Sequence, residues 1–160
     1  MNDITISLTL NGARHECVVP SHMVLLDLLR DRFGLRGCKP GCDQAVCGAC
    51  TVLIDGLPLA PCARLAASVD GCDILTIEGL EAQGEDGKMH PVQKAFAISY
   101  AVQCGYCTAG MVMMTVALLA RDPAPSEHTI RSWLGGHLCR CTGYQQIIEA
   151  IQLAAQFNAR

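Results

Sequence analysis

The sequence predicts an α+β chain: a small mixed sheet carrying one helix, then a bundle of four helices. Three observations predict it. Apolar and polar residues alternate in the first half, the spacing turns helical in the second, and a polar, glycine-bearing stretch over residues 78–90 separates them. The expected division is residues 1–78, a linker over 79–90, and residues 91–160.

The elements follow in order. Ile4, Ile6, Leu8 and Leu10 alternate with Thr5, Ser7 and Thr9, a half-buried strand closed by the hairpin pair Asn11-Gly12. A return strand is expected over 13–19. Ser21 is then placed to cap a helix whose Val24, Leu25, Leu28, Leu29 and Phe33 share one face, with Gly34 stopping it. Residues 51–54 read as a short buried strand, Asp55-Gly56 as a second hairpin turn, and residues 73–77 as a further strand. That order satisfies a β-grasp topology.

Beyond the linker, Pro91 suits the first position of a helix over 92–102, and Thr108 can cap one over 109–121, ended by Pro123 and Pro125. Ser126 caps a third helix through Trp133, closed by Gly135-Gly136. A fourth runs over 143–157, with Ile147, Ile148, Ile151 and Ala155 on one face.

Composition narrows the class. The chain has 160 residues, 51% apolar and 17% charged, which excludes a disordered protein. Aromatics are only 4%, so the core must be aliphatic and methionine-rich, and an internal staple is expected. A net charge of −3 with scattered cations gives no electrostatic case for nucleic acid, and the apolar run over 111–120 is too short for a membrane span. Eleven cysteines, an odd number, without a secretory signal indicate a reducing, cytoplasmic setting in which thiolates serve metals.

Cys42, Cys47 and Cys50 lie on one tight loop and Cys62 follows, giving C-x4-C-x2-C…C. This is the plant-type [2Fe–2S] spacing, with Gly41, Gly48 and Ala49 providing the small residues that let backbone N–H groups face an anionic core. Structural zinc is the competing reading, but it usually pairs two short cysteine hooks. A second set sits at the joints of the helices: Cys104 and Cys107 between the first two, Cys139 and Cys141 between the last two. The pattern C-x2-C…C-x-C admits an iron cluster, zinc or a redox dithiol, and a bundle of two related helix pairs would gather its four sulfurs at one end.

Cys17, Cys38 and Cys72 are left over and read as small packing residues, Cys38 being close enough to Cys42 to compete for a place. The histidines fit surface roles, and His137 beside Cys139 makes a mixed Cys/His site only if the four-cysteine count fails. Met111, Met113 and Met114 should fill the bundle core, with Trp133 a core or interface anchor. Arg140 either sets a positive charge beside the second thiol set or pairs a surface carboxylate or a partner chain.

Four motifs carry a family resemblance: Gly41-Cys42-Asp43-Gln44, Cys47-Gly48-Ala49-Cys50-Thr51-Val52, Gln103-Cys104-Gly105-Tyr106-Cys107-Thr108-Ala109-Gly110-Met111 and Leu138-Cys139-Arg140-Cys141-Thr142-Gly143-Tyr144. Over nearly its whole length the chain resembles the small iron–sulfur subunit, or N-terminal iron–sulfur region, of the xanthine oxidase family of molybdenum hydroxylases. The resemblance implies a plant-type ferredoxin-like β-grasp [2Fe–2S] domain followed by a helical one nearer the molybdenum cofactor. It implies that Gln103 and Cys141 approach the pterin. Ala109 stands where proline is usual, and His137 where asparagine is usual.

The resemblance further implies a large partner subunit with molybdenum and a pterin, expected as molybdopterin cytosine dinucleotide. An FAD subunit and a dimer of heterotrimers are also implied. No G-x-G-x-x-G fingerprint occurs here, so a flavin belongs to a partner. The implied function is relay of single electrons from molybdenum to FAD or another acceptor, with the substrate site on another chain. Two rival readings stand beside it: a free-standing two-cluster carrier, and a zinc-stapled interaction module.

Overall fold

In the computed structural model, residues 2–81 and 89–158 are described. Strand β1 (Asp3–Leu10) turns at Asn11 and Gly12, both with left-handed backbone (φ 50° and 83°), into antiparallel β2 (Ala13–Pro20). Asp55 and Gly56 (φ 50° and 78°) likewise join β3 (Val52–Ile54) to β4 (Leu57–Leu59). With β5 (Asp73–Leu75) these form a five-stranded mixed sheet in the order β2-β1-β5-β3-β4, in which β1 and β5 are parallel. The expected α+β architecture is present.

The helix on the sheet begins later than its sequence suggests. Helix α1 (Leu25–Asp27) continues as a π-helical turn, Leu28–Arg32, and Ser21 does not cap it. Val24 stays extended because residues 23–25 pair with the chain at 64–66: Leu25 N–H donates to the Arg64 carbonyl (2.7 Å), and Ala66 N–H to that of Met23 (2.8 Å). A tertiary pairing overrides the local capping signal. Gly34 (φ 70°) ends the segment as expected.

Strand β5 stops at Leu75, short of the expected Ile77. Thr76 turns away, its N–H donating to Asn11 Oδ1 (2.8 Å) and its hydroxyl to Glu78 Oε2 (2.7 Å), and Ile77 opens the short helix α2 (Ile77–Glu81). The polar stretch therefore starts as a helix that buries Leu80 completely. Residues 82–88 of the expected linker lie outside the described residues.

Four helices follow. Helix α3 (Pro91–Ile98) has Pro91 at its first position, and His90 and Gln93 form a reciprocal capping box. It ends four residues before the expected 102, because Tyr100 takes a left-handed φ of 52°. Helix α4 (Thr108–Arg121) includes Thr108, and the capping position falls on Cys107. Ser126 caps α5 (Glu127–Leu134) by accepting from Thr129 N–H (3.1 Å). Helix α6 (Gln145–Asn158) starts two residues later than expected, since Gly143 and Tyr144 are both left-handed (φ 68° and 72°).

Two apolar cores result. One lies between α1 and the sheet, around Leu8, Leu25, Leu28, Leu29, Val52 and Ile74; the other fills the bundle. Strand β3 serves both: Val52 and Ile54 face the first core and Leu53 the second, as the period of two in a strand dictates. Helix α4 lies against β3 and is buried nearly all round, with Met111, Met113 and Met114 in its core as expected. No helix among the described residues is long and apolar enough to cross a membrane.

Candidate metal centres

The first cysteine loop is built from left-handed backbone. Asp43 and Ala45 (φ 54° and 56°) curl the chain so that Gln44, Val46 and Cys47 N–H groups all point at Cys42 Sγ, each at 3.4 Å. Three N–H dipoles on one sulfur favour its thiolate, and the Cys42 pKa falls to about 7. Gly41 is needed here: a Cβ on it would stand 2.8 Å from Cys47 Sγ.

Cys50 and Cys62 flank the open end of the β3–β4 hairpin, where Val52 pairs with Leu59, Cys62 being carried on the 3-10 turn Pro61–Ala63. All four sulfurs meet, and they meet in pairs: Cys42 neighbours Cys47, and Cys50 neighbours Cys62. Burial pushes the Cys50 thiol up to about 12, so it needs a metal in place of its proton to become a good ligand there.

The bundle set gathers at the joints as expected. Cys107 occupies the N-cap position of α4 without a side-chain capping bond, and Cys104 precedes it across Gly105 (φ 80°). Cys139 and Cys141 lie on the α5–α6 joint, with Cys139 Sγ receiving Thr142 N–H (3.4 Å) and contacting the Thr142 hydroxyl (3.1 Å). These sulfurs also meet two by two: Cys141 Sγ is 3.5 Å from Cys104 Sγ, and Cys107 neighbours Cys139. Burial raises Cys107 to about 12 despite its place at a helix N-terminus.

This pairing suits one kind of metal centre better than another. A two-iron core takes two thiolates on each iron, so it spreads four sulfurs into two pairs, whereas a single zinc draws all four into one tetrahedron. Among the described residues no three His, Cys, Asp or Glu side chains form a single-ion site. The donors fit [2Fe–2S] clusters.

The leftover cysteines stay apart. Cys38 is buried, with its Sγ on the Leu35 carbonyl (3.2 Å), and burial raises its pKa to about 11. Cys17 lies on β2 opposite Ile6, and Cys72 beside Asp55 and Asp70. Gln103, Cys104 and Cys141 are exposed at the outer end of the bundle, and Arg140, also exposed, lines a cavity of about 230 Å³ with the bundle thiols and Cys47.

Several residues that the sequence did not single out join the two loops. Leu138 N–H donates to the Cys47 carbonyl (2.9 Å), and the Tyr106 hydroxyl donates to the Pro40 carbonyl. Tyr144 braces the second joint: its oxygen accepts from Cys139 N–H (2.8 Å), and its hydroxyl donates to the His137 carbonyl (3.1 Å). Gly110 of α4 lies so close that a Cβ would come 2.0 Å from the Gly48 carbonyl oxygen. The available signal was that Gly110 and Tyr144 sit within the cysteine motifs.

Comparison with known proteins finds two family matches along the chain. Residues 8–68 match the 2Fe-2S iron-sulfur cluster binding domain and residues 76–152 the [2Fe-2S] binding domain. The nicotinate dehydrogenase small FeS subunit of Eubacterium barkeri is 46% identical over 156 residues, 98% of each chain. The chain belongs to the iron–sulfur subunits of the xanthine oxidase family of molybdenum hydroxylases. The xanthine dehydrogenase iron-sulfur-binding subunit of Escherichia coli O157:H7 is 47% identical over 150 residues, 92% of each chain. The crystal structure of quinoline 2-oxidoreductase from Pseudomonas putida 86 contains a chain 46% identical, with a TM-score of 0.91 over 99% of this chain and 97% of that one. This iron–sulfur subunit is accordingly the electron-transfer component of a multi-subunit oxidoreductase, with the substrate site on another subunit.

Proposed function

We propose that Cys42, Cys47, Cys50 and Cys62 hold one [2Fe–2S] cluster in a domain of residues 1–78. Cys104, Cys107, Cys139 and Cys141 hold the other in a domain of residues 91–160, with residues 79–90 joining the two. The observation that carries this reading is the two-by-two meeting of sulfurs in each quartet. The bound clusters would supply one-electron chemistry, which lets a two-electron oxidation elsewhere be drained in single steps.

The protein's own part is placement. The N–H groups on Cys42 Sγ and Cys139 Sγ stabilise thiolate charge and would raise the potentials of the centres they face. Leu138 N–H on the Cys47 carbonyl links a segment of one quartet to a segment of the other through a single hydrogen bond.

The order of transfer runs from a large partner subunit's molybdenum to the bundle quartet, then to the sheet quartet, then to FAD on a further subunit in a cytoplasmic dimer of heterotrimers. The molybdenum ligand is molybdopterin cytosine dinucleotide. The exposed Gln103 and Cys141 support the first step, since both lie on the open end of the bundle where a partner's pterin can reach them. The complex purified through this chain should contain molybdenum, flavin, and four irons with four acid-labile sulfides per copy of the chain. Zinc in place of iron, or a chain that purifies alone with its clusters, would overturn the reading.

A further inference from the structure

His137 is half-buried where the two cysteine loops meet, without belonging to either quartet. Its ring lies on Gly48, where a Cβ would come 2.5 Å from Cδ2, and Nε2 is 3.0 Å from Thr51 Oγ1. The hydrogen-bond direction can be deduced. The Thr51 hydroxyl is 2.8 Å from the Gly48 carbonyl, which can only accept, so its one proton goes there and Nε2–H must donate to Oγ1. A directed chain thus runs from the bundle, through His137 and Thr51, to the carbonyl of Gly48 in the middle of Cys47-Gly48-Ala49-Cys50. His137 Nδ1 is buried with no well-formed hydrogen bond. The ring is held by its Nε2 end, by its contact with Gly48 and by the neighbouring backbone of Trp133.

That chain acts where it can set spacing. His137 precedes Leu138, whose N–H holds the Cys47 carbonyl, and Cys139 follows. Gly48 is gripped on its other side by Gly110 of α4. The sheet loop is therefore clamped between an imidazole and a helix backbone, one residue from Cys47 and two from Cys50.

We propose that His137 is a positioning residue that, through Thr51, fixes the separation and mutual orientation of the two clusters. The proposal rests on the two-cluster reading above. Magnetic interaction between two reduced centres falls with the cube of their distance and depends on their orientation. It reports placement directly and needs no turnover.

The test is low-temperature paramagnetic resonance of the dithionite-reduced complex, comparing wild type with His137→Ala, His137→Gln and Thr51→Val. In the wild type both signals should show a mutual splitting. His137→Ala should lose or markedly shrink that splitting while iron content and the principal g values of each signal stay unchanged. His137→Gln, which can place an amide N–H near the position of Nε2, should restore it. Thr51→Val keeps the ring on Gly48 and removes only the hydroxyl, so it should reproduce the loss, and the double variant should lose no more than either single one.

A splitting unchanged in His137→Ala, a glutamine variant no better than alanine, or two wild-type signals with no interaction would overturn the proposal. If His137→Ala fails to assemble, Thr51→Val decides alone. A wild-type complex with only one iron–sulfur signal would instead overturn the two-cluster reading, and this inference with it.

Discussion

Gly110 shows how much a single missing methyl can hold. A Cβ there would lie 2.0 Å from the Gly48 carbonyl oxygen, an overlap that only a backbone shift can relieve, because both partners are main chain. Gly110→Ala should therefore cost about 3 kcal/mol or more of stability, measured as a lowered denaturation midpoint of the loaded chain. A variant as stable as wild type would show that α4 and the loop do not touch as described. Cys104→Ser tests a different property of one residue: it should abolish one of the two paramagnetic signals of the reduced protein and spare the other. The two proposed thiol sets could be picked out of the sequence because the cysteines within each loop are closely spaced. The contacts of Gly110, Thr51 and His137 could not: all three lie in or beside the cysteine motifs, but their partners are 62 to 89 residues away along the chain.

Among the elements, the helix starts separate local from tertiary control. Ser126 was readable as a cap because its partner, Thr129 N–H, is three residues on. Ser126→Ala should cost about 1 kcal/mol in chemical denaturation with no change in either iron–sulfur signal. An altered signal would mean that α5 does more than fix the joint bearing Cys139. Ser21 carried the same local signal and was overruled, because Met23 and Leu25 are held extended by backbone bonds to residues 64–66. Thr108 misleads differently: the loop of Cys104-Gly105-Tyr106-Cys107 closes one residue early, so that Cys107 takes the capping position and presents its sulfur at the helix end.

At the scale of the whole molecule, the two cores meet at β3 and the two cysteine loops meet at Leu138 and Cys47, so loss of metal should not remain local. If the two quartets hold the clusters as proposed, then without iron the buried Cys50 and the half-buried Cys107 return to thiols, and Gln44, Val46, Cys47 and Thr142 lose the anionic sulfurs their N–H groups face. Clusters that bind only the folded chain stabilise it by several kcal/mol through mass action. Removing iron under reducing conditions should therefore lower the melting temperature of the whole chain. In hydrogen exchange the amides of Gln44, Val46, Cys47 and Thr142 should lose protection first, followed by Leu138, whose donor bond spans the two loops. The ordering matters more than the size. If Leu138 keeps full protection after both clusters are gone, the seam is held by Gly48, Gly110 and His137 without help from metal, and the halves are joined before the cofactors arrive. If it opens together with the cysteine loops, cluster insertion itself completes the interface along which electrons pass.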